Sequence, residues 1–205
     1  MIKYNVKTVN DWLYNSNPIK KLYYNGMVRY RRFVANGQPT PPSFDGKWKA
    51  TYQDGHVTSA ECGSSSEINR REINKTNLVS VEIGDCVTSI GVFAFNSCRS
   101  LTSCTIGSGV TSLDNNAFNN CSSLTAVTIP SGVTYIGVAE FENCTSLTSI
   151  TILATTPPNT PHYSVFSNTN NCPIYVPDAS VNAYKAAFVW NMYASRIKPI
   201  SEKPQ

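Results

Sequence analysis

The amino-acid sequence predicts a repeat solenoid, mainly β with short helical turns, with a small N-terminal β-hairpin domain and a C-terminal capping helix. Three observations lead there. Apolar residues recur every 23 residues from Leu78 to Ile152. Turn signals at Gly107-Ser-Gly109 and Pro130-Ser-Gly132 sit at the same point of successive recurrences. Both flanks then change to patterns that do not repeat. At 205 residues, 41% hydrophobic and 15% charged, the chain has the composition of a globular protein able to bury a core.

Taken in chain order, residues 1–34 read as a basic β-hairpin head for attachment. The first 50 residues hold nine Lys or Arg against two acids, a formal +7, while the rest of the chain sums to −3. Ile19–Tyr24 and Met27–Phe33 are β-prone runs joined by Asn25-Gly26, a strong hairpin signal. In them Tyr23, Tyr24, Tyr30 and Phe33 interleave with Lys20, Lys21, Arg29, Arg31 and Arg32. Interleaving of this kind suits an anionic partner, and the preferred reading is an apolar face docked on a protein partner with the bases solvated or facing an acidic surface of it; nucleic acid is not expected. A lone two-stranded hairpin is barely stable in water, so the head is expected to complete its fold on a larger assembly or with copies of itself, a possible homo-oligomer. Residues 35–46 follow as a Pro-rich linker.

Residues 47–77 read as the N-terminal cap. Trp48–Tyr52 and His56–Cys62 alternate around Gln53-Asp54-Gly55, a hairpin, and Ser66–Ile73 is expected as a helical turn or two. Residues 78–158 are the repeats. Leu78, Leu101, Leu124 and Leu147 each open the pattern Leu-x-x-apolar-x-Ile, and Val87/Val110/Val133, Ile90/Leu113/Ile136, Phe95/Phe118/Phe141 and Cys98/Cys121/Cys144 continue the register. No unit can bury its apolar face alone, so equivalent residues must layer on one another. Residues 159–205 read as the C-terminal cap: Pro157-Pro158 breaks the fourth unit, Cys172–Pro177 offers one strand, and Asp178 or Ser180 can cap a helix running to about Trp190.

The stretch Leu124–Cys144, with its Leu-Thr-x-x-x-Ile-Pro, Gly-Val-Thr-x-Ile-Gly and Phe-x-x-Cys segments, resembles the BspA-like (Treponema-type) leucine-rich repeats of surface proteins from gut bacteria and their phages. It departs from that motif at Glu140, where Ala is usual. The resemblance implies a leucine-rich-repeat solenoid and a role in adhesion or recognition.

Catalytic machinery is not expected. The only histidines, His56 and His162, lie outside the repeats and in no recognisable motif. Cysteines 23 residues apart lack metal-ligand spacing, so no metal or cofactor is expected, and the odd total of seven reads as reduced thiols used as small core residues. Gly107-Ser-Gly109 has no following helix and Lys, so it is not a phosphate loop. What remains is a candidate binding face of outward strand positions: Ser80 and Glu82, Ser103 and Thr105, Ala126 and Thr128, Ser149 and Thr151, a ladder of small hydroxyls read either as facing a host surface protein or glycan or, with no aromatic anchors among them, as simply the polar residues that suit exposed strands. No apolar run is long enough to span a membrane and no secretory signal is visible, so the expected location is a phage virion (tail, baseplate or head decoration) or, as the alternative, the bacterial cell surface as an adhesin whose export signal is not shown.

Overall fold

The computed structural model describes residues 46–63 and 65–204 with their side chains and, ahead of them, the backbone of three strands at 9–14, 17–24 and 27–31. The chain divides into two units, Met1–Ser43 and Phe44–Gln205. In the first, β1 (Val9–Tyr14), β2 (Asn17–Tyr24) and β3 (Met27–Arg31) form an antiparallel sheet in that order. β2 and β3 pair as the sequence suggests, with Tyr24 opposite Met27 and Lys20 opposite Arg31. The expected two-stranded hairpin is corrected by β1, whose Trp12 lies opposite Ile19. Asn10 and Asp11, poor strand formers, hid β1 from propensity, and a third strand relieves the weakness of a lone hairpin. The Asn25-Gly26 turn, Arg32, Phe33 and the linker up to residue 45 lie outside the described residues.

The second unit is built on two sheets. Its repeat strands are β7 (Leu78–Ile83), β9 (Ser103–Thr105), β11 (Ala126–Ile129) and β13 (Ser149–Ile152), parallel and in register at 23-residue offsets: Ser80 with Ser103, Ser103 with Ala126, Ala126 with Ser149. Each unit adds a two-residue strand to a second sheet: β8 (Ser89–Ile90), β10 (Ser112–Leu113) and β12 (Tyr135–Ile136). Phe95, Phe118 and Phe141 close the third side as stacked rings, continued by Phe166, with centroids 5.0, 5.5 and 5.9 Å apart. Leu78, Leu101, Leu124 and Leu147 are wholly buried between them.

Polar residues hold the same spacing. The hydroxyls of Thr102, Thr125 and Thr148 each donate to the carbonyl 23 residues earlier, of Val79, Thr102 and Thr125, at 3.0–3.1 Å. Thr111 does the same to Thr88 at 3.1 Å. Two left-handed residues turn each repeat: Ser97, Asn120 and Asn143 in one column, Phe93, Asn116 and Ala139 in the other. Asn tolerates this conformation, whereas Phe and Ala do so at a cost. The turn at Gly107-Ser-Gly109 needs glycine for closeness rather than for φ, since a Cβ on Gly109 would run into the Asp85 carbonyl.

At the N-terminal end, β4 (Trp48–Tyr52) and β5 (Val57–Ala60) form the expected hairpin, and β4 lies antiparallel on β7, covering the first repeat edge. Lys47, 6% exposed, is neutralised by Glu72 at 2.9 Å, and Trp48 Nε1 donates to the same carboxylate. The helical turn expected over Ser66–Ile73 is instead a strand, β6 (Glu67–Ile68), parallel to β8, followed by a turn; Asn69 Oδ1 accepts the Arg71 N–H and diverts the backbone from helix. The expectation of a fully reduced protein is corrected as well. Cys62 and Cys86 form a disulfide, Cα atoms 6.1 Å apart, pinning the cap hairpin to the first repeat turn. Cys98, Cys121 and Cys144 are free and buried.

At the other end the sheet runs on through β14 (Ile174–Val176), foreseen, and β15 (Ile197–Pro199), not foreseen, to the order β15-β14-β13-β11-β9-β7-β4-β5. The capping helix is shorter than expected: α1 covers only Val181–Ala186, between 3₁₀ turns at Asp178–Ser180 and Trp190–Tyr193. Neither Asp178 nor Ser180 caps it. Ser180 Oγ donates to the Thr155 carbonyl, and Asp178 accepts the Ser201 N–H. The segment still closes the last repeat, with Tyr184 Oη donating to Ala154 and Trp190 Nε1 to Pro158, both at 2.8 Å.

Candidate binding face

Alternation along a strand sends every second side chain to the outer face of the long sheet, and in-register pairing lines these up across it. One row runs Lys49, Glu82, Thr105, Thr128, Thr151, Tyr175, Lys198; the next runs Thr51, Ser80, Ser103, Ala126, Ser149. All the predicted positions Ser80, Glu82, Ser103, Thr105, Thr128, Ser149 and Thr151 therefore share one face.

They are not equally open. Ser103, Thr105, Ala126 and Thr128 are exposed, and Ser80, Glu82 and Ser149 are half-buried. The hydroxyls of Ser103, Thr105 and Thr128 have no hydrogen-bond partner among the described residues, unlike the Thr102 column, whose hydroxyls are spent on the solenoid itself. Thr151 is a correction: it is 5% exposed, and its Oγ1 accepts the Lys203 ammonium at 2.8 Å. The segment after β15 folds back over that end of the face and removes Thr151 from contact. Tyr175, next in the row, is buried too. At the opposite end Glu82 accepts Lys49 Nζ at 3.0 Å in a half-exposed ion pair. The open part of the face is thus the centre, bounded by a lysine on each side.

Lys49, Tyr175 and Lys203 were not anticipated in this row. Lys49 was legible as an outward position of its hairpin, but its antiparallel docking on β7 was not. Lys203 reaches Thr151 over 52 residues, with no sequence signal. In the first unit, Lys20, Lys21, Tyr23, Tyr24, Arg29, Tyr30 and Arg31 fall on β2 and β3, with Lys21 opposite Tyr30 and Leu22 opposite Arg29.

Both imidazoles serve local turns. His56 Nδ1 is 2.6 Å from Asp54 Oδ1 and its ring stacks on Tyr52; the bond to His56 holds the Asp54 carboxyl below its ordinary value. His162 Nδ1 accepts the Ser164 N–H as the cap of a 3₁₀ turn.

The profile of the BspA type leucine rich repeat region matches residues 66–193, in six copies. The chain belongs to the BspA-type leucine-rich-repeat family. The match takes in β6, β14 and the 3₁₀ turn Trp190–Tyr193, all assigned to caps from sequence alone, and in the structure the sheets also continue through β6 and β14. Leucine-rich repeats as a family are recognition and adhesion modules, built as stacked units that expose an extended surface. Among solved structures, the chain is similar to a leucine-rich repeat protein from Eubacterium ventriosum (22% identity over 64% of this chain and 34% of that one, TM-score 0.41). It is also similar to one from Bacteroides capillosus (19%, 69% and 97%, TM-score 0.38) and one from Bacteroides ovatus (17%, 88% and 56%, TM-score 0.31). The chain spans about a third of the length of the first. No curated protein matches it.

Proposed function

We propose that this BspA-type chain is a non-enzymatic adhesion and recognition module whose repeat face contacts a host surface protein or glycan, and whose N-terminal unit docks on a larger assembly. The open hydroxyls of Ser103, Thr105 and Thr128 carry the reading: they are polar, aligned and unspent, while comparable hydroxyls one column away serve the fold. The bacterial cell surface is the setting we favour. Its support is the Cys62–Cys86 disulfide, a bond that persists in oxidising surroundings rather than in a reducing cytoplasm. Attachment to a phage virion is the second reading, favoured by the short basic N-terminal unit ahead of the repeats.

An array of host surface proteins and glycans, probed with the labelled full chain, tests the binding role. The expected result is a hit abolished by Thr105→Lys with Thr128→Lys, at an unchanged melting temperature. A hit indifferent to that double variant removes the sheet face from the proposal.

A further inference from the structure

Glu140 occupies a column that is apolar in the units on either side, with Val165 following it. The two preceding units put Ala94 and Ala117 there, both buried. Glu140 is itself wholly buried. Its Oε2 reaches back across the unit boundary to accept the Ala117 backbone N–H at 2.8 Å, while Oε1 has no partner among the described residues. Natural interiors rarely leave a carboxyl oxygen unpaired, and desolvation acts far harder on a carboxylate than on a neutral acid.

The groups around it make ionisation harder still. The Asp114 carboxylate, just after β10, opposes a second negative charge nearby, and the Cys144 sulfur in the same unit as Glu140 acts in the same direction. Burial first of all holds the Cys104 thiol on β9 protonated, so it brings no compensating charge to the site. Glu142, two residues on, is engaged by Asn119 Nδ2 at 3.2 Å. Burial first, then Asp114 and Cys144, hold the Glu140 carboxyl well above its usual 4.5, outweighing the Ala117 N–H.

We propose that Glu140 is a pH-sensitive lock between the second and third repeats: as the neutral acid it bonds Ala117 and lets Phe118 and Phe141 close, and on ionisation it loosens that one boundary. The sign follows from the direction of the shift. A carboxyl whose folded value lies above its unfolded one contributes stability that is fully present below the unfolded value and is lost as pH rises through the folded one.

The test is urea unfolding of the full chain between about pH 5 and 9, for wild type, Glu140→Gln and Glu140→Ala, with hydrogen exchange read at the Ala117 amide. Glu140→Gln keeps an acceptor without a charge; Glu140→Ala restores the residue of the column and serves if the glutamine variant does not fold. Relative to either variant, wild type is expected to lose up to about tenfold in its folding equilibrium constant per pH unit. Protection at Ala117 should fall with pH ahead of that at amides in the first repeat. Parallel pH profiles for wild type and variants overturn the proposal, and so does protection lost evenly along the whole stack.

Discussion

Between Leu78 and Ile152 successive units fill most columns with the same few residue types and bond their neighbours in the same way, Leu on Leu, Phe on Phe, Thr hydroxyl to the carbonyl behind it, with Glu140 the buried exception. At the two ends the sheets and the Phe stack run on, but the contacts that close them occur once: Lys47 and Trp48 on Glu72, Cys62 to Cys86, Tyr184 on Ala154, Trp190 on Pro158, Arg196 Nε on the Cys172 carbonyl. The difference teaches that repetition stabilises the interior of a solenoid but has no means of stopping it. Termination is written in single side chains, several of them polar and shielded, and so falls outside any periodic pattern.

The strongest way to break this contrast is to remove one member of a column. Phe118→Ala leaves a gap between two stacked rings and is expected to destabilise the chain by about 3–5 kcal/mol in urea unfolding. A much smaller loss would mean that neighbouring units close over the gap and that the column is less interdependent than its geometry implies. Next in size is the N-terminal end: Cys62→Ser with Cys86→Ser is expected to cost about 2–4 kcal/mol, matched by wild type under reducing conditions. Equal melting with and without the bond would show that β4 and the Lys47–Glu72 pair hold the cap unaided. The smallest effect has the opposite sign. Phe93, 40% exposed and left-handed, stands where the next unit has Asn116. Phe93→Asn is expected to raise stability by about 0.5–1 kcal/mol, since Asn reaches that conformation more readily, and a loss would show that the exposed ring packs more than it strains.

Legibility in the sequence divides along the same line. The columns of Leu, Ile, Phe and Cys are visible because stacking demands like on like, and the Trp48–Ala60 hairpin because Asp54-Gly55 fits a turn between alternating runs. β15 was missed because Ile197-Lys198-Pro199 is short and ends in Pro, and the disulfide because a 24-residue spacing matches no motif. On the face, the alternation of β9 and β11 was enough to place Ser103, Thr105 and Thr128 outside. That Thr151 is covered could not be seen, because what covers it comes from the far end of the chain.

The threonine hydroxyls of successive units all point the same way. Thr102 donates to Val79, Thr125 to Thr102, Thr148 to Thr125, always toward residues closer to the N-terminus. The hydroxyls of a unit leaving the ribosome therefore find their acceptors on chain already synthesised, whereas the backbone N–H groups of Phe95 and Phe118 must wait for the carbonyls of Ala117 and Glu140 in the unit still to come. Each boundary is thus begun from one side and closed from the other, the threonine column by chain already made and the phenylalanine side by the unit that follows.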